Sequence, residues 1–135
     1  MAAQILPAPM QLMQPMVDWR AAPVAPGNWL WRSLAGGSEA VFQSAAGVQL
    51  TLRCNLASRT VTVVRSGAVP GSVLSVRTSN LERSLPPSGT LGARDPLLDA
   101  ISFSRGRFAV EGGGAVRLIV PAWPEAARTI GDCRK

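Results

Sequence analysis

The sequence contains no histidine and no tyrosine, and it has only two cysteines and one lysine among 135 residues. Without histidine, a serine–histidine–acid triad is excluded and the most common zinc ligand is missing. Eight carboxylates remain as candidate general bases, and none forms a recognisable catalytic pair. No apolar run approaches the roughly 18 residues that a membrane-spanning helix needs. We therefore expect a protein with no enzymatic activity, no metal and no cofactor.

The charge balance is strongly basic. Fourteen basic residues against eight acidic ones give a net charge of +6, and every basic residue except Lys135 is arginine. Such a balance raises the question of a polyanionic partner. Most of the arginines occur singly along the chain, so we expect no specific nucleic-acid site, and an anionic surface stays open as a partner. We favour codon usage in a GC-rich genome as the reason for arginine in place of lysine.

The chain length fits one domain, preceded by an arm. Residues 1–27 are rich in proline and methionine and show no period of 2 or 3.6, which predicts an extended N-terminal arm anchored by Trp19. Residues 28–135 are expected to form a single β domain. The start "MAAQILPAP" lacks the basic residues and apolar stretch of a signal peptide, so we interpret the chain as a mature or trimmed form.

Short alternating segments separated by turn residues begin at Trp29. In "VQLTLRCNL" the alternation places Leu52 and Cys54 on one face and Arg53 on the other. Pairing the following "RTVTVVR" back as a hairpin sets Val61 opposite Cys54 and Val63 opposite Leu52, so that the two apolar faces agree.

Further strands are predicted in "NWLWRS", "EAVFQ", "SVLSVRTS", "SFSRGRFAVE" and "AVRLIVP", with a weaker candidate near residues 81–85. "EGGGA" is expected to be a hairpin turn, and "RDPLLDAIS" a short helix with Asp95 as N-cap and Pro96 in the first turn. These patterns predict an all-β fold, an antiparallel β-sandwich or partly open barrel of about seven or eight strands with a short C-terminal helix.

The last segment, "PEAARTIGDC", is typical of a helix that carries Ala126, Ile130 and Cys133 on one face. Cys133 is then directed at the body of the protein, as Cys54 is from its strand, which favours a disulfide between them. Two buried thiols, or a catalytic or metal-binding pair, are the alternatives. A disulfide would indicate an oxidising compartment, and we therefore expect a periplasmic or secreted protein.

Two aromatic features have a binding interpretation and a packing interpretation. Trp29 and Trp31 share one face of a strand, where they either pack in the core or stack on a ligand. In "FSRGRF", Arg105 and Arg107 flank Gly106, and a bend there would bury Phe103 and Phe108 together. That bend either presents the arginines for binding or is purely structural.

Three arginines, Arg53, Arg77 and Arg107, are predicted to point away from the core by strand alternation. If their strands are neighbours, the guanidinium groups share a face that could hold phosphate, carboxylate or lipid headgroups. We favour a scattered arrangement over two sheets, in which the charge mainly supports solubility.

Three blocks, "LTLRCNLASRTVTV", "DPLLDAISFSRGRFAVE" and "VPAWPEAARTIGDCR", resemble a family of small exported proteins of unknown function from Sphingomonas-type alphaproteobacteria. The resemblance covers residues 19–134 and implies an exported domain, with no activity attached. In its size and single bridge the chain is also similar to the β-barrel inhibitors of lysozyme. Because their target is strongly basic, a net charge of +6 argues against that role.

From these observations we expect a non-enzymatic protein of the cell envelope that acts as a binding or accessory protein, with an envelope protein as its partner. The alternatives are a periplasmic enzyme inhibitor and a binder of anionic polymer or membrane surface through an arginine face.

Overall fold

A computed structural model describes residues 18–135 of the chain. The first seventeen residues of the predicted N-terminal arm lie outside the described residues. Within the described part the chain forms nine strands and two helices. They are β1 (Asn28–Leu34), β2 (Gly37–Ser44), β3 (Gly47–Asn55), β4 (Thr60–Arg65), β5 (Leu74–Arg77), β6 (Glu82–Ser84), β7 (Thr90–Gly92), α1 (Pro96–Ser102), β8 (Arg107–Gly112), β9 (Ala115–Pro121) and α2 (Pro124–Asp132).

The strands form two open antiparallel sheets. One has five strands in the order β1-β2-β3-β4-β7, and the other has four in the order β6-β5-β8-β9. Side chains from both sheets meet in one buried cluster, in which Leu52 and Phe42 face Val110 and Phe108. The predicted β-sandwich with a C-terminal helix is therefore confirmed, and the sheets do not close into a barrel. The strand that the sequence did not indicate is β7.

The hairpin of β3 and β4 has the predicted register. Cys54 pairs with Val61 and Leu52 pairs with Val63, and all four side chains are buried. The prediction succeeds because a shift of one residue would turn the apolar side chains of β3 outward.

The helix α1 begins where the sequence predicts. The Asp95 side chain accepts a hydrogen bond of 2.8 Å from the backbone N–H of Leu97, and Pro96 occupies the first turn. An ion pair with Arg83 at 2.8 Å fixes the carboxylate. The hydrogen bond from Arg83, opposed by burial, helps hold the pKa of Asp95 below its ordinary value.

The prediction of one strand over residues 102–111 is wrong. The helix α1 extends to Ser102, and β8 begins only at Arg107, after a turn in which Gly106 has a φ of 76°. Phe103 is consequently 73% exposed while Phe108 is buried, so a bend at Gly106 does not bury both rings. The cause is the helix, which uses Leu98 and Ile101 for the core and leaves Phe103 beyond its last turn.

The helix α2 is joined to the five-stranded sheet by a disulfide. Cys54 and Cys133 are bonded, with their Cα atoms 5.5 Å apart, and Ala126 and Ile130 on the same helix face are buried as predicted. Neither helix in residues 18–135 is long and apolar enough to cross a membrane.

Three residues of the predicted arm, Trp19, Ala22 and Val24, pack on the outer face of the four-stranded sheet. Trp19 and Ala22 are buried there against Ala109 and Ile119. The backbone N–H of Ala25 donates a hydrogen bond of 2.8 Å to the carbonyl of Ile119, at the edge of the sheet.

Candidate functional site

The two tryptophans of β1 are engaged in packing. Trp29 is buried between Phe42 and Phe108, and its Nε1 donates a hydrogen bond of 2.8 Å to the carbonyl of Pro121. The Nε1 of Trp31 donates to the Asp132 carboxylate at 3.0 Å, and the Arg128 guanidinium lies 3.4 Å from the ring centroid. Trp29 therefore fastens β1 to the core and Trp31 fastens it to α2, with Arg128 over the Trp31 ring.

The three arginines predicted to point outward lie in two sheets. Arg53 belongs to β3 of the five-stranded sheet, whereas Arg77 and Arg107 belong to β5 and β8 of the other sheet. Arg77 forms ion pairs with Glu82 at 3.0 Å and Glu111 at 3.3 Å. These three side chains do not form a shared arginine face.

Arg107 and Arg105 differ in what they contact. The guanidinium of Arg107 donates to the carbonyl of Ala22 and so holds the N-terminal segment on the sheet. Arg105 is exposed in the turn before β8, where its backbone N–H donates to the Ser79 hydroxyl at 2.7 Å. Its side chain forms no ion pair within residues 18–135.

Arg53 instead belongs to a cluster on the outer face of the five-stranded sheet. Arg32 on β1, Glu39 on β2 and Arg53 on β3 are direct neighbours in register, so their side chains lie in one row. Arg53 donates to Glu39 Oε1 from Nε at 3.0 Å and Nη2 at 2.9 Å. Arg32 donates to Oε2 from Nε at 2.5 Å, and its Nη2 forms an ion-pair contact with the same oxygen. We call these three residues the Arg–Glu–Arg cluster.

The glutamate of this cluster is buried, although its sheet face is not covered by another layer. Its side chain is only 2% exposed, while the side chains of Arg32 and Arg53 are 69% and 57% exposed. Burial alone would raise the pKa of Glu39, but hydrogen bonds from Arg53 and Arg32 and the charges of both outweigh it and lower that pKa. Glu39 is therefore an ionised group that orients two exposed guanidinium groups.

The cluster has unused positive charge and unused donors. Two guanidinium groups against one carboxylate leave a net charge of +1, and this face carries no other carboxylate within the described strands. Each guanidinium has five N–H donors, and Glu39 contacts only Nε and Nη2 of each. The Nη1 groups of both arginines have no partner within the described part of the chain. The arrangement is suited to a second, external anion.

Next to the cluster runs a parallel row of mainly apolar side chains. Leu30, Val41, Thr51 and Val64 are neighbours in register across β1 to β4, and we call them the outer apolar row. Leu30 and Val64 are about half exposed, at 50% and 45%. Between the two rows lies a concavity of about 300 Å³, which is also bordered by Gln43 and the exposed Val48. It combines an ionic wall with an apolar wall.

A second concavity of about 240 Å³ lies between the segment after β4 and the turn at residues 86–89. The charged residue on its lining is Arg65, whose Nη1 donates to the carbonyls of Gln49 and Ser66 and whose Nη2 donates to that of Val116. Burial lowers the pKa of Arg65. Because the guanidinium is already engaged by backbone carbonyls, this concavity is less suited to an anion.

No family model, curated protein or solved structure matches this chain. The candidate site therefore rests on the geometry of the chain itself.

The sequence indicated Arg53 but not its partners Arg32 and Glu39. The signal was present, because the turn at residues 34–37 fixes the register of β1 and β2 and so sets Arg32 opposite Glu39. Extending "EAVFQ" back to Gly37 would have paired it with "NWLWRS" through that turn and set Arg32 beside Glu39 on the outer face.

Proposed function

We propose that the protein is a non-enzymatic binding protein of the cell envelope, exported to the periplasm or the cell surface, which holds its partner on the outer face of the five-stranded sheet. The observation that carries the proposal is the Arg–Glu–Arg cluster beside the uncovered outer apolar row. Oriented guanidinium groups next to accessible apolar side chains form a surface with both specificity and apolar area to bury.

The proposed location is supported by the disulfide. The Cys54–Cys133 bond lies in the interior, where it joins α2 to β3. Disulfides of this structural kind form and persist in oxidising compartments.

A compact site is better supported than an extended arginine face for an anionic polymer. Arg77 is neutralised by two acids, and Arg107 is engaged by the N-terminal segment. The arginines that are oriented next to apolar surface are Arg32 and Arg53, so the geometry favours a localised partner group over a long polyanion.

A photocrosslinking experiment in the native compartment tests the proposed surface. A photoreactive amino acid is introduced at Leu30, on the outer face of the five-stranded sheet, and separately at Val116, an exposed apolar position at the start of β9. We expect a specific adduct at Leu30 and none at Val116. Equal labelling at both positions, or labelling at Val116 alone, would contradict the proposal.

A further inference from the structure

We propose that the concavity between the two rows binds the anionic headgroup and alkyl chain of a single-chain amphiphile, with the carboxylate held by Arg32 and Arg53. This inference rests on the proposed function and names the ligand class of that surface. It follows from three properties of the site, namely its charge, its lining and its size.

The charge of the site calls for one external anion. Glu39 neutralises one of the two guanidinium groups and fixes the orientation of both, and the remaining charge is +1. A monoanion would neutralise the cluster and accept hydrogen bonds from the unused Nη1 groups. A group with several charges would find no further cation on this face within the described strands.

The apolar lining of the site indicates that the anionic group of the ligand is attached to an apolar chain. Leu30 and Val48 are half exposed at the rim of the concavity, and Val41 forms part of its floor. Burying exposed apolar surface of this kind favours association. A ligand that carries its charge at one end and a hydrocarbon chain at the other satisfies both walls at once.

The size of the site calls for a small ligand. A concavity of about 300 Å³ is at the lower end of the range for small-molecule sites. At roughly 30 Å³ for a group the size of a water molecule, it accommodates about ten heavy atoms. Decanoate has two heavy atoms more than this, so that the end of its chain would lie at the open rim beside Leu30 and Val48. We use it as the probe, below the concentration at which it self-associates.

The experiment measures the binding of decanoate to the whole protein by isothermal titration calorimetry, with decanol as a neutral probe of equal chain length. We expect decanol to bind at least about tenfold more weakly, a difference of 1.4 kcal/mol, because it cannot form charge-assisted hydrogen bonds. Backbone amide shifts on addition of decanoate should concentrate in β1, β2 and β3. Equal affinity for the two probes would overturn the proposal.

The variants separate the site from the fold. Replacing both arginines alone would leave Glu39 buried without a partner, so the test variant is Arg32→Gln/Glu39→Gln/Arg53→Gln, which removes all three charges together. We expect this variant to lose the preference for decanoate over decanol, and Leu30→Ser to weaken both probes. Arg77→Gln, on the other sheet, is the matched control and should bind both probes as the parent protein does.

Two further outcomes keep this inference distinct from the proposed function. Binding to vesicles that contain fatty acid, without binding to monomeric decanoate, would overturn the single-chain ligand. A specific crosslink at Leu30 in the absence of decanoate binding would reject the amphiphile while leaving the binding surface intact. Loss of both signals would reject both proposals.

Discussion

Arg53 on β3 reaches across to Glu39 on β2 and donates two hydrogen bonds, at 3.0 Å and 2.9 Å, to a single carboxylate oxygen. Arg32 approaches the other oxygen from the opposite side, with a hydrogen bond from Nε and an ion-pair contact from Nη2. Glu39 is thus the buried centre of an otherwise exposed charge cluster. Glu39 depends on the two arginines more than they depend on it. The arginines can be solvated by water if Glu39 is removed, whereas Glu39 cannot be solvated as easily without them.

This asymmetry predicts an unusual order of stability among variants. Arg32→Gln/Arg53→Gln leaves an unpaired buried carboxylate, and we expect it to lower the free energy of unfolding by about 2–3 kcal/mol, a value discounted because the arginines are exposed. Adding Glu39→Gln to that pair should restore part of the loss and leave a deficit of about 1 kcal/mol. Urea unfolding of the two variants checks the order. A triple variant less stable than the double variant would contradict the assignment of Glu39 as an ionised, arginine-dependent group.

The lowered pKa of Glu39 predicts how stability depends on pH. Since the folded-state pKa lies below that of the unfolded chain, the stabilisation is fully present above the unfolded value of roughly 4.3 and is lost as the pH falls through the folded value. We expect the free energy of unfolding to decrease steeply with acidification below about pH 4.3 in the parent protein and less steeply in Glu39→Gln. Parallel pH profiles for the two proteins would show that Glu39 contributes nothing to acid sensitivity.

The disulfide predicts a large and specific loss of stability on removal. Cys54 and Cys133 are separated by 79 residues, and the chain-entropy model gives about 4.5 kcal/mol for a closed loop of that length. Cys54→Ala/Cys133→Ala should therefore lower the free energy of unfolding by about 4.5 kcal/mol or less, and reducing agent should destabilise the parent protein but not this variant. A parent protein with two thiols that react with alkylating agent, when isolated without reductant from its native compartment, would remove the support for export.

The parts of the fold that were predictable from the sequence depend on local rules. Strand alternation was sufficient for the register of β3 and β4, and the Asp95-Pro96 pair was sufficient for the start of α1. Alternation also directed Cys54 towards the same interior that the helical period gives to Cys133. These patterns need no information about distant segments.

The features that the sequence did not reveal depend on tertiary contacts. The three-residue strand β7 is too short to show alternation and exists because it pairs with β4. Phe103 is exposed because α1 ends just before it, a boundary that apolar composition does not mark. The Arg–Glu–Arg cluster requires the register of three strands at once, so Arg53 could be recognised as outward-facing while its partners could not.

Gly37, the first residue of β2 after the tight turn from β1, is predicted to be a position that requires glycine. A Cβ atom at Gly37 would lie 2.0 Å from the carbonyl oxygen of Cys54, whereas one at the adjacent Gly36 would meet no atom within 4 Å. Because the obstacle is backbone, Gly37→Ala must displace β2 from β3, and we expect a loss of about 1–3 kcal/mol. Gly36→Ala is the matched control and should change stability by less than about 0.5 kcal/mol. Similar unfolding midpoints for the two variants would show that the turn tolerates a side chain.

The packing of Trp19 and Ala22 on the four-stranded sheet, away from the candidate site, is expected to contribute to the free energy of unfolding. Trp19 is buried against Ala109 and Ile119, and Arg107 holds the carbonyl of Ala22 on the same face. Trp19→Ala should lower the free energy of unfolding by about 2–3 kcal/mol, because it removes the largest apolar side chain from this small cluster. Ala21→Ser, at an exposed neighbouring position, should change it by less than about 0.5 kcal/mol. Hydrogen exchange separates local from global loss, since release of the segment should speed exchange at Ala25, whose N–H bonds to Ile119, while leaving the amides of β3 protected. Unchanged exchange at Ala25 in Trp19→Ala would show that Trp19 does not anchor the segment.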